Sequence, residues 1–361
     1  MKRNEIKKVA ILSLVGVMGL AMFSGCGDKD KNASARKVVE YNIDDYVTLG
    51  KYTGLTVDEN ITIVTDDDVQ SAIDSLVAAK TTYTDINDRN AQMEDKVTID
   101  YTKSQPDAED ETQTDYSLEL GSGLKGEDFE NKLVGLALND TITFTVKEDK
   151  KDSEGNTSTV DVTYKVTLKT IQEKVVPDVT DEFIAENSDY STIDEYKVGK
   201  KEELEKNNAD NAKSTAQSEL LRMVVDDSKV SGTPAFIYNL NYNAICQSYA
   251  TYASYFGTDL EGYLTMSGSS IDEVKKTAVE MTIQTLVIEA IVKDAGIDIT
   301  DEKFDENLQM YIDNYGFESK EQILDSYSKE ELLFDMRRDA AINYLYENNT
   351  VNRKNVSAEQ D

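Results

Sequence analysis

Between Lys96 and Ile171 the chain alternates. In KVTIDYTK (96–103), YSLEL (116–120), TITFTV (141–146) and VDVTYKVTLKTI (160–171), apolar and polar side chains take turns. A period of two sends successive side chains to opposite faces, so each run predicts a strand with one face buried and one wet, the pattern of an antiparallel sheet. The polar stretch KEDKKDSEGNTST (147–159) predicts a long hairpin connection between the last two strands. Ahead of this block, DYVTLGKYTGLTV (45–57) reads as strand-like, and TDDDVQSAIDSLVAAKTTY (65–83) as a helix. Asp66, Asp67 and Asp68 stand in its first turn, where carboxylates suit the helix dipole, and Val69, Ile73 and Leu76 recur at helical spacing.

Beyond Pro177 the period changes to that of helices, over about 193–225, 234–256, 271–295, 301–315 and 329–348. Start signals of the capping-box kind recur: Thr192 with Glu195, Thr258 with Glu261, Ser270 with Glu273, and Ser328 with Glu331. Pro234 suits a first turn, and Gly257, Gly296 and Gly316 fall where helices should stop. The polar end NRKNVSAEQD (352–361) predicts no element. One helix carries a stripe. In PAFIYNLNYNAICQSYATYASYFG (234–257), Tyr238, Tyr242, Ile245, Tyr249, Tyr252 and Phe256 follow one another at steps of three or four, which places them on one face. Such a face is either the seam that packs the helix or, because Tyr tolerates water and loses little entropy on contact, part of a cradle for unfolded chains.

The first 26 residues differ from the rest. MKRNEIKK is basic, VAILSLVGVMGLAMF (9–23) is an apolar run of 15 residues, and FSGC (23–26) follows. The run is short for a membrane-spanning helix and suits the core of a signal peptide. Small residues before Cys26 resemble a bacterial lipobox, with Phe23 in place of the usual Leu. The resemblance implies a lipid on Cys26, a polar tether over 27–39, and an extracytoplasmic protein anchored to the bacterial cell membrane. With Cys26 acylated, Cys246 has no disulfide partner and is expected to be a small buried apolar residue.

Composition narrows the chemistry. Asp and Glu number 70 against 38 Lys and Arg, a formal charge of −32, which argues against nucleic acid as a partner. There is no His, so Ser-His-Asp and Cys-His catalysis and His-ligated metals are excluded, and no metal or cofactor is expected. Gly121, Gly123 and Gly126 spell G-x-G-x-x-G after a strand. A dinucleotide loop, however, needs a buried parallel strand and a long crossover helix, and here GLALND (135–140) turns the chain after a few residues. A short helix laid across an antiparallel sheet fits better.

At that point a family resemblance becomes specific. DRNAQMEDKVTIDYTKS (88–104), YSLELGSG (116–123), GEDFENKLVGLALNDTITFTV (126–146) and VTYKVTLKTI (162–171) resemble, in order, the FKBP-type prolyl isomerase domain of trigger factor. VVPDVTDEFIAENSDYSTIDEYK (175–197) is similar to the start of the family's helical chaperone domain, and the resemblance spans about 46–348. It implies an α+β fold: an FKBP-like antiparallel sheet with a short helix (91–173), joined to an all-α helical chaperone domain (174–350). A linker strand and helix (40–90) precede them and a disordered tail (351–361) follows.

It also implies binding of unfolded or newly exported polypeptides, and an aromatic proline pocket whose members here are Tyr101, Tyr116, Phe129 and Tyr164. A dry pocket of this kind favours the twisted imide, whose barrier of about 18–20 kcal/mol comes from lost resonance, and needs no cofactor. Three pocket positions depart from the family: Asp110 stands nearest to a usual Phe, Gly126-Glu127-Asp128 replace an apolar residue and Pro-Gly, and the 147–156 hairpin lacks a usual Tyr. A chaperone with a partly degraded pocket is therefore the first expectation, an active peptidyl-prolyl isomerase the alternative. The same four aromatic residues also fit a plain sheet core. Because the leader stands where the family has its ribosome-docking module, no ribosome partner is expected. A reading as an adhesin or solute-binding lipoprotein finds no ligand-gripping motif.

Overall fold

The computed structural model describes residues 41–106, 108–151 and 157–357. The leader, Cys26 and the tether lie outside the described residues. The fold is mixed α/β with a helical C-terminal part, and it divides into two compact units. One is Val64–Leu204; the other is assembled from the chain before Val64 and after Leu204.

In the first of these, α1 (Asp66–Lys80) opens with a full capping box between Thr65 and Asp68. The sheet follows: β3 (Thr82–Asp85), β4 (Lys96–Ser104), β5 (Glu111–Glu119), β6 (Thr141–Lys151) and β7 (Thr157–Val175). All its pairings are antiparallel, in the order β3-β7-β4-β5 with β6 also on β7. The alternation becomes its two faces. Val97, Ile99, Tyr101, Leu118, Val162, Tyr164, Val166 and Leu168 point inward, and α2 (Glu127–Leu133) lies over them with Phe129 and Leu133 buried. The β6–β7 ladder runs further than its polar sequence predicts, pairing Lys151 with Thr157, so the connection between the strands is shorter than expected. Past β7, α3 (Asp181–Asn187) buries Phe183 and Ile184 against Ile73 of α1 and Tyr196.

The other unit is helical. Its elements are the second part of α4 (Ile193–Asp227), α5 (Ala235–Tyr255), α6 (Leu260–Met266), α7 (Ile271–Asp294), α8 (Asp301–Tyr315), α9 (Lys320–Ser326) and α10 (Lys329–Glu347). Leu220 and Val224 of α4, Leu286 and Ile291 of α7, and Ala341 and Leu345 of α10 form its main core with Ile43, Val47 and Val57 from the N-terminal segment. Two small ladders complete it. β1 (Val47–Thr48) pairs antiparallel with β8 (Lys229–Val230), and β2 (Thr56–Thr62) pairs parallel with β9 (Thr350–Val356).

Strand β9 corrects the expectation of a disordered tail from 351. Lys354 reaches Asp58 at 2.6 Å, Arg353 reaches the buried Glu59 at 3.0 Å, and the Tyr346 hydroxyl also donates to Glu59. Charges too polar to form an element alone are ordered by complementary charges on β2. The start signal at Thr258 is corrected too. Thr258 closes α5 through its N–H to the Ala253 carbonyl, and Asp259 caps α6 by accepting from Gly262 N–H at 2.8 Å.

Candidate functional site

Two aromatic assemblies stand out, one in each unit. In the sheet unit, alternation carries Tyr101 (β4), Tyr116 (β5) and Tyr164 (β7) to the face covered by α2, and α2 brings Phe129 down onto them. Ring centroids lie 5.7 Å apart for Tyr101–Tyr116 and Tyr101–Tyr164, 6.5 Å for Tyr101–Phe129 and 4.8 Å for Phe129–Tyr164. The structure thus brings together all four residues expected of a pocket, edge to face. Phe144 of β6, 5.3 Å from Phe129, is a fifth member that the resemblance did not supply, although the TITFTV alternation places it on the inner face. Tyr101, Phe129 and Tyr164 are buried, and Tyr116 is half-buried at the edge. Asp110 is exposed.

Charged groups complete the assembly. The Tyr164 hydroxyl donates to Glu148 at 2.5 Å, and Lys103 pairs with the same carboxylate at 2.7 Å. Burial alone would raise the Glu148 carboxyl, but Lys103 and the Tyr164 hydroxyl outweigh it and hold it below its ordinary value. Burial first, and Glu148 second, push the Tyr164 phenol far above its usual value, so it stays a hydrogen-bond donor. Lys125 Nζ donates to the Tyr101 hydroxyl at 2.9 Å and stands 4.6 and 4.8 Å from the ring centres of Tyr101 and Tyr116.

The glycine loop after β5 does hold an anion, and the anion belongs to the chain. Glu130, 1 % exposed, accepts backbone N–H bonds from Gly121 (2.8 Å), Gly123 (3.0 Å) and Lys125 (3.0 Å). Gly121 and Gly123 have φ of 96° and 74°, a region that a side chain disfavours, and this backbone turns their N–H groups inward. Sequence reasoning missed Glu130. The available signal was a Glu in the short helix directly after a loop of three glycines.

In the helical unit the stripe of α5 divides. Ile245 is buried among Leu264, Val274, Ala278 and Met281, and Tyr238, Tyr242 and Tyr249 are half-buried against that cluster together with Cys246. Tyr242 hydrogen-bonds Cys246, which raises the Tyr242 phenol. Past Tyr249 the stripe leaves the core. Tyr252 is 53 % exposed and Phe256 62 %, and they meet Tyr263 of α6 at 6.1 and 5.8 Å, with Tyr249 also 6.0 Å from it. Tyr255 of α5 and Met266 of α6 are also exposed, at 86 % and 67 %. Tyr263 was missed because α6, signalled only by its start, is too short for periodicity to show which face it presents.

Among the described residues no His, Cys, Asp or Glu cluster could hold a metal, and no helix is long and apolar enough to cross a membrane.

Residues 192–347 match the family model described as the bacterial trigger factor protein C-terminus. The chain is 30 % identical over 315 residues to the trigger factor of Carboxydothermus hydrogenoformans, covering 84 % of this chain and 72 % of that one. It is 27 % identical over 314 residues to that of Limosilactobacillus reuteri (85 % and 72 %) and 29 % identical over 292 residues to that of Halothermothrix orenii (78 % and 66 %). This likeness overturns one expectation. Trigger factors usually bind the ribosome, so the exclusion of a ribosome partner is withdrawn.

Proposed function

The chain belongs to the trigger factor family, and from that premise we propose that it is a chaperone held at the outer side of the cell membrane, gripping unfolded polypeptides with the aromatic corner of α5 and α6. The observation that carries this reading is the contact of the exposed Tyr252 and Phe256 with Tyr263, on helices that also expose Tyr255 and Met266. Aromatic rings offer contact area at little entropic cost, and Met adapts to irregular partners, so the corner suits weak binding of many sequences. The formal charge of −32 keeps a protein with such a patch soluble when empty. The tether is read from the sequence: a basic start, a 15-residue apolar run and Cys26 at its end. Two acyl chains on that cysteine would anchor stably where one is marginal.

The test is suppression of aggregation of a denatured model protein by wild type and by a Tyr252→Ser, Tyr255→Ser, Phe256→Ser variant. These side chains lie outside the cluster around Ile245, so the helical content should be unchanged. Equal protection by a folded variant means that the corner is not the client surface. For the anchor, Cys26→Ala should abolish labelling by a fatty-acid probe and shift the protein out of the membrane fraction. Unchanged labelling, or a wild type found in the cytosol, removes the tether.

A second reading, prolyl isomerase activity, is favoured by the convergence of Tyr101, Tyr116, Phe129 and Tyr164. Three of these rings are buried, so turnover on short peptides is expected to be slower than in a pocket with an open mouth. A protease-coupled assay on Xaa-Pro peptides decides it.

A further inference from the structure

We propose that Lys125 is the specificity-determining residue of the aromatic pocket: its ammonium closes the mouth, and it selects prolyl peptides that carry a carboxylate next to the proline. This inference rests on the prolyl-pocket reading above.

Three observations place the ammonium. It donates to the Tyr101 hydroxyl at 2.9 Å, it stands 4.6 and 4.8 Å from the centres of the Tyr101 and Tyr116 rings, and its own backbone N–H is fixed to Glu130 at 3.0 Å. The buried carboxylate of Glu130 therefore sets the start of the Lys125 side chain, and two tyrosines set its end. Faces of aromatic rings attract a cation through their quadrupole, so Lys125 occupies the place that an incoming side chain must take beside Tyr116.

The surrounding charges decide what displaces it. Glu148 is engaged by Lys103 and by the Tyr164 hydroxyl, and Glu130 by the loop amides. Among the described residues no carboxylate stands within salt-bridge distance of Lys125; Glu148, engaged by Lys103 and Tyr164, feels its charge only from further away. An ammonium has three donors, and the Tyr101 hydroxyl uses one. A peptide that pushes the ammonium off the rings must give it something in return. A Glu preceding the proline supplies an acceptor and a counter-charge. A neutral residue supplies neither, and a Lys adds repulsion. On a surface as acidic as this one, a preference for an acidic peptide has to come from a local cation at the site itself.

The experiment measures kcat/KM of the full chain on Ala-Xaa-Pro-Phe peptides with Xaa as Glu, Ala or Lys. Wild type is expected to favour Glu over Lys by roughly 5-fold at low salt, a unit-charge contact near a protein surface being sufficient for that. The ratio should shrink as ionic strength rises. Lys125→Met keeps the aliphatic stem. It should bring the ratio close to one and raise turnover of the Ala peptide, because the mouth is no longer held shut by a charge. Lys125→Glu should invert the ratio, and Lys125→Arg should preserve it. Peptides turned over with a ratio that ignores both Lys125→Met and Lys125→Glu overturn the inference and leave the pocket reading standing. No turnover of any peptide by wild type or variants removes the pocket reading, and this inference with it.

Discussion

Replacing Glu130 by Gln tests whether the glycine loop is organised around a buried anion. The carboxylate accepts from Gly121 and Gly123 on one oxygen and from Lys125 on the other, with the Ser122 hydroxyl nearby. An amide retains one acceptor and turns an NH2 group toward a backbone donor, so at least one bond becomes a clash. Hydrogen bonds to a charged group are each worth about 1.5–3 kcal/mol. The released N–H groups sit in an exposed loop where water takes part of the loss, so the net cost is expected at about 2–4 kcal/mol. At about 4 °C per kcal/mol for a domain of this size, the sheet unit should melt roughly 8–15 °C lower.

The pH dependence carries a definite sign. Burial alone would raise the Glu130 carboxyl, but the three backbone donors and Ser122 more than offset it and hold it below its ordinary value. A folded-state pKa below the unfolded one contributes stability that is present above about pH 4.3 and is lost as pH falls through the folded value. The difference in stability between wild type and Glu130→Gln should therefore narrow in acid. Calorimetry gives the melting shift, and hydrogen exchange across residues 116–134 locates it. A variant that melts within about 2 °C of wild type, with loop amides exchanging no faster, would refute the buried-anion account of the loop.

Arg89 forms a two-pronged pair with the buried Asp95, at 2.5 and 2.8 Å. Arg89→Ala should cost about 3–5 kcal/mol in a denaturant melt by leaving that charge buried and unpaired, with Asp95→Asn restoring part of it. Arg353→Ala removes the β9 partner of buried Glu59 and should loosen the β2–β9 ladder, read as faster exchange of the β2 amides; unchanged exchange refutes this. Burial raises the Glu289 carboxyl, opposed by the Tyr41 hydroxyl that donates to it. A raised acid withdraws stability as pH rises through its folded pKa, so Glu289→Gln, which keeps an acceptor, should stabilise the helical unit at neutral pH and have no effect well below the ordinary glutamate range; equal effects at both pH values refute this.

The elements that were legible carry their signals within a few residues. Expected helices over 271–295, 301–315 and 329–348 appear as Ile271–Asp294, Asp301–Tyr315 and Lys329–Glu347, because cap and periodicity, and for the first two a terminal glycine, are local. Ser328 and Glu331 form the reciprocal box, and Gly316 takes the left-handed backbone that ends its helix. Helices α3 and α9 were missed, and α6 was signalled only by a start placed one residue early, because seven residues make two turns, too few for a period to declare itself. Strand β9 was missed because its partner lies almost the whole chain away and the signal is charge complementarity between VDEN and VNRK, not hydrophobicity. The same divide runs through the sites. Alternation alone gathers Tyr101, Tyr116 and Tyr164 on one face. That Lys125 lies over the Tyr101 and Tyr116 rings, or that Tyr263 joins the end of the α5 stripe, depends on loop and corner geometry that no periodicity encodes.

The G-x-G-x-x-G stretch shows how one piece of physics serves two ends. In a dinucleotide site, glycines let backbone N–H groups converge on a phosphate at the start of a helix. Gly121 and Gly123 converge in the same sense, but the negative charge is the Glu130 carboxylate, one turn into the helix that the loop introduces. An internal anion is always present, whereas a phosphate must be recruited, so the loop is set permanently in one shape. That permanence also fixes the residue just before the last glycine. Lys125 N–H is one of the three donors, so its Cα is fixed by the same carboxylate, and its side chain has the aromatic mouth within reach. The sequence pattern of a ligand-binding loop thus becomes, with one carboxylate added, a device that positions a lysine.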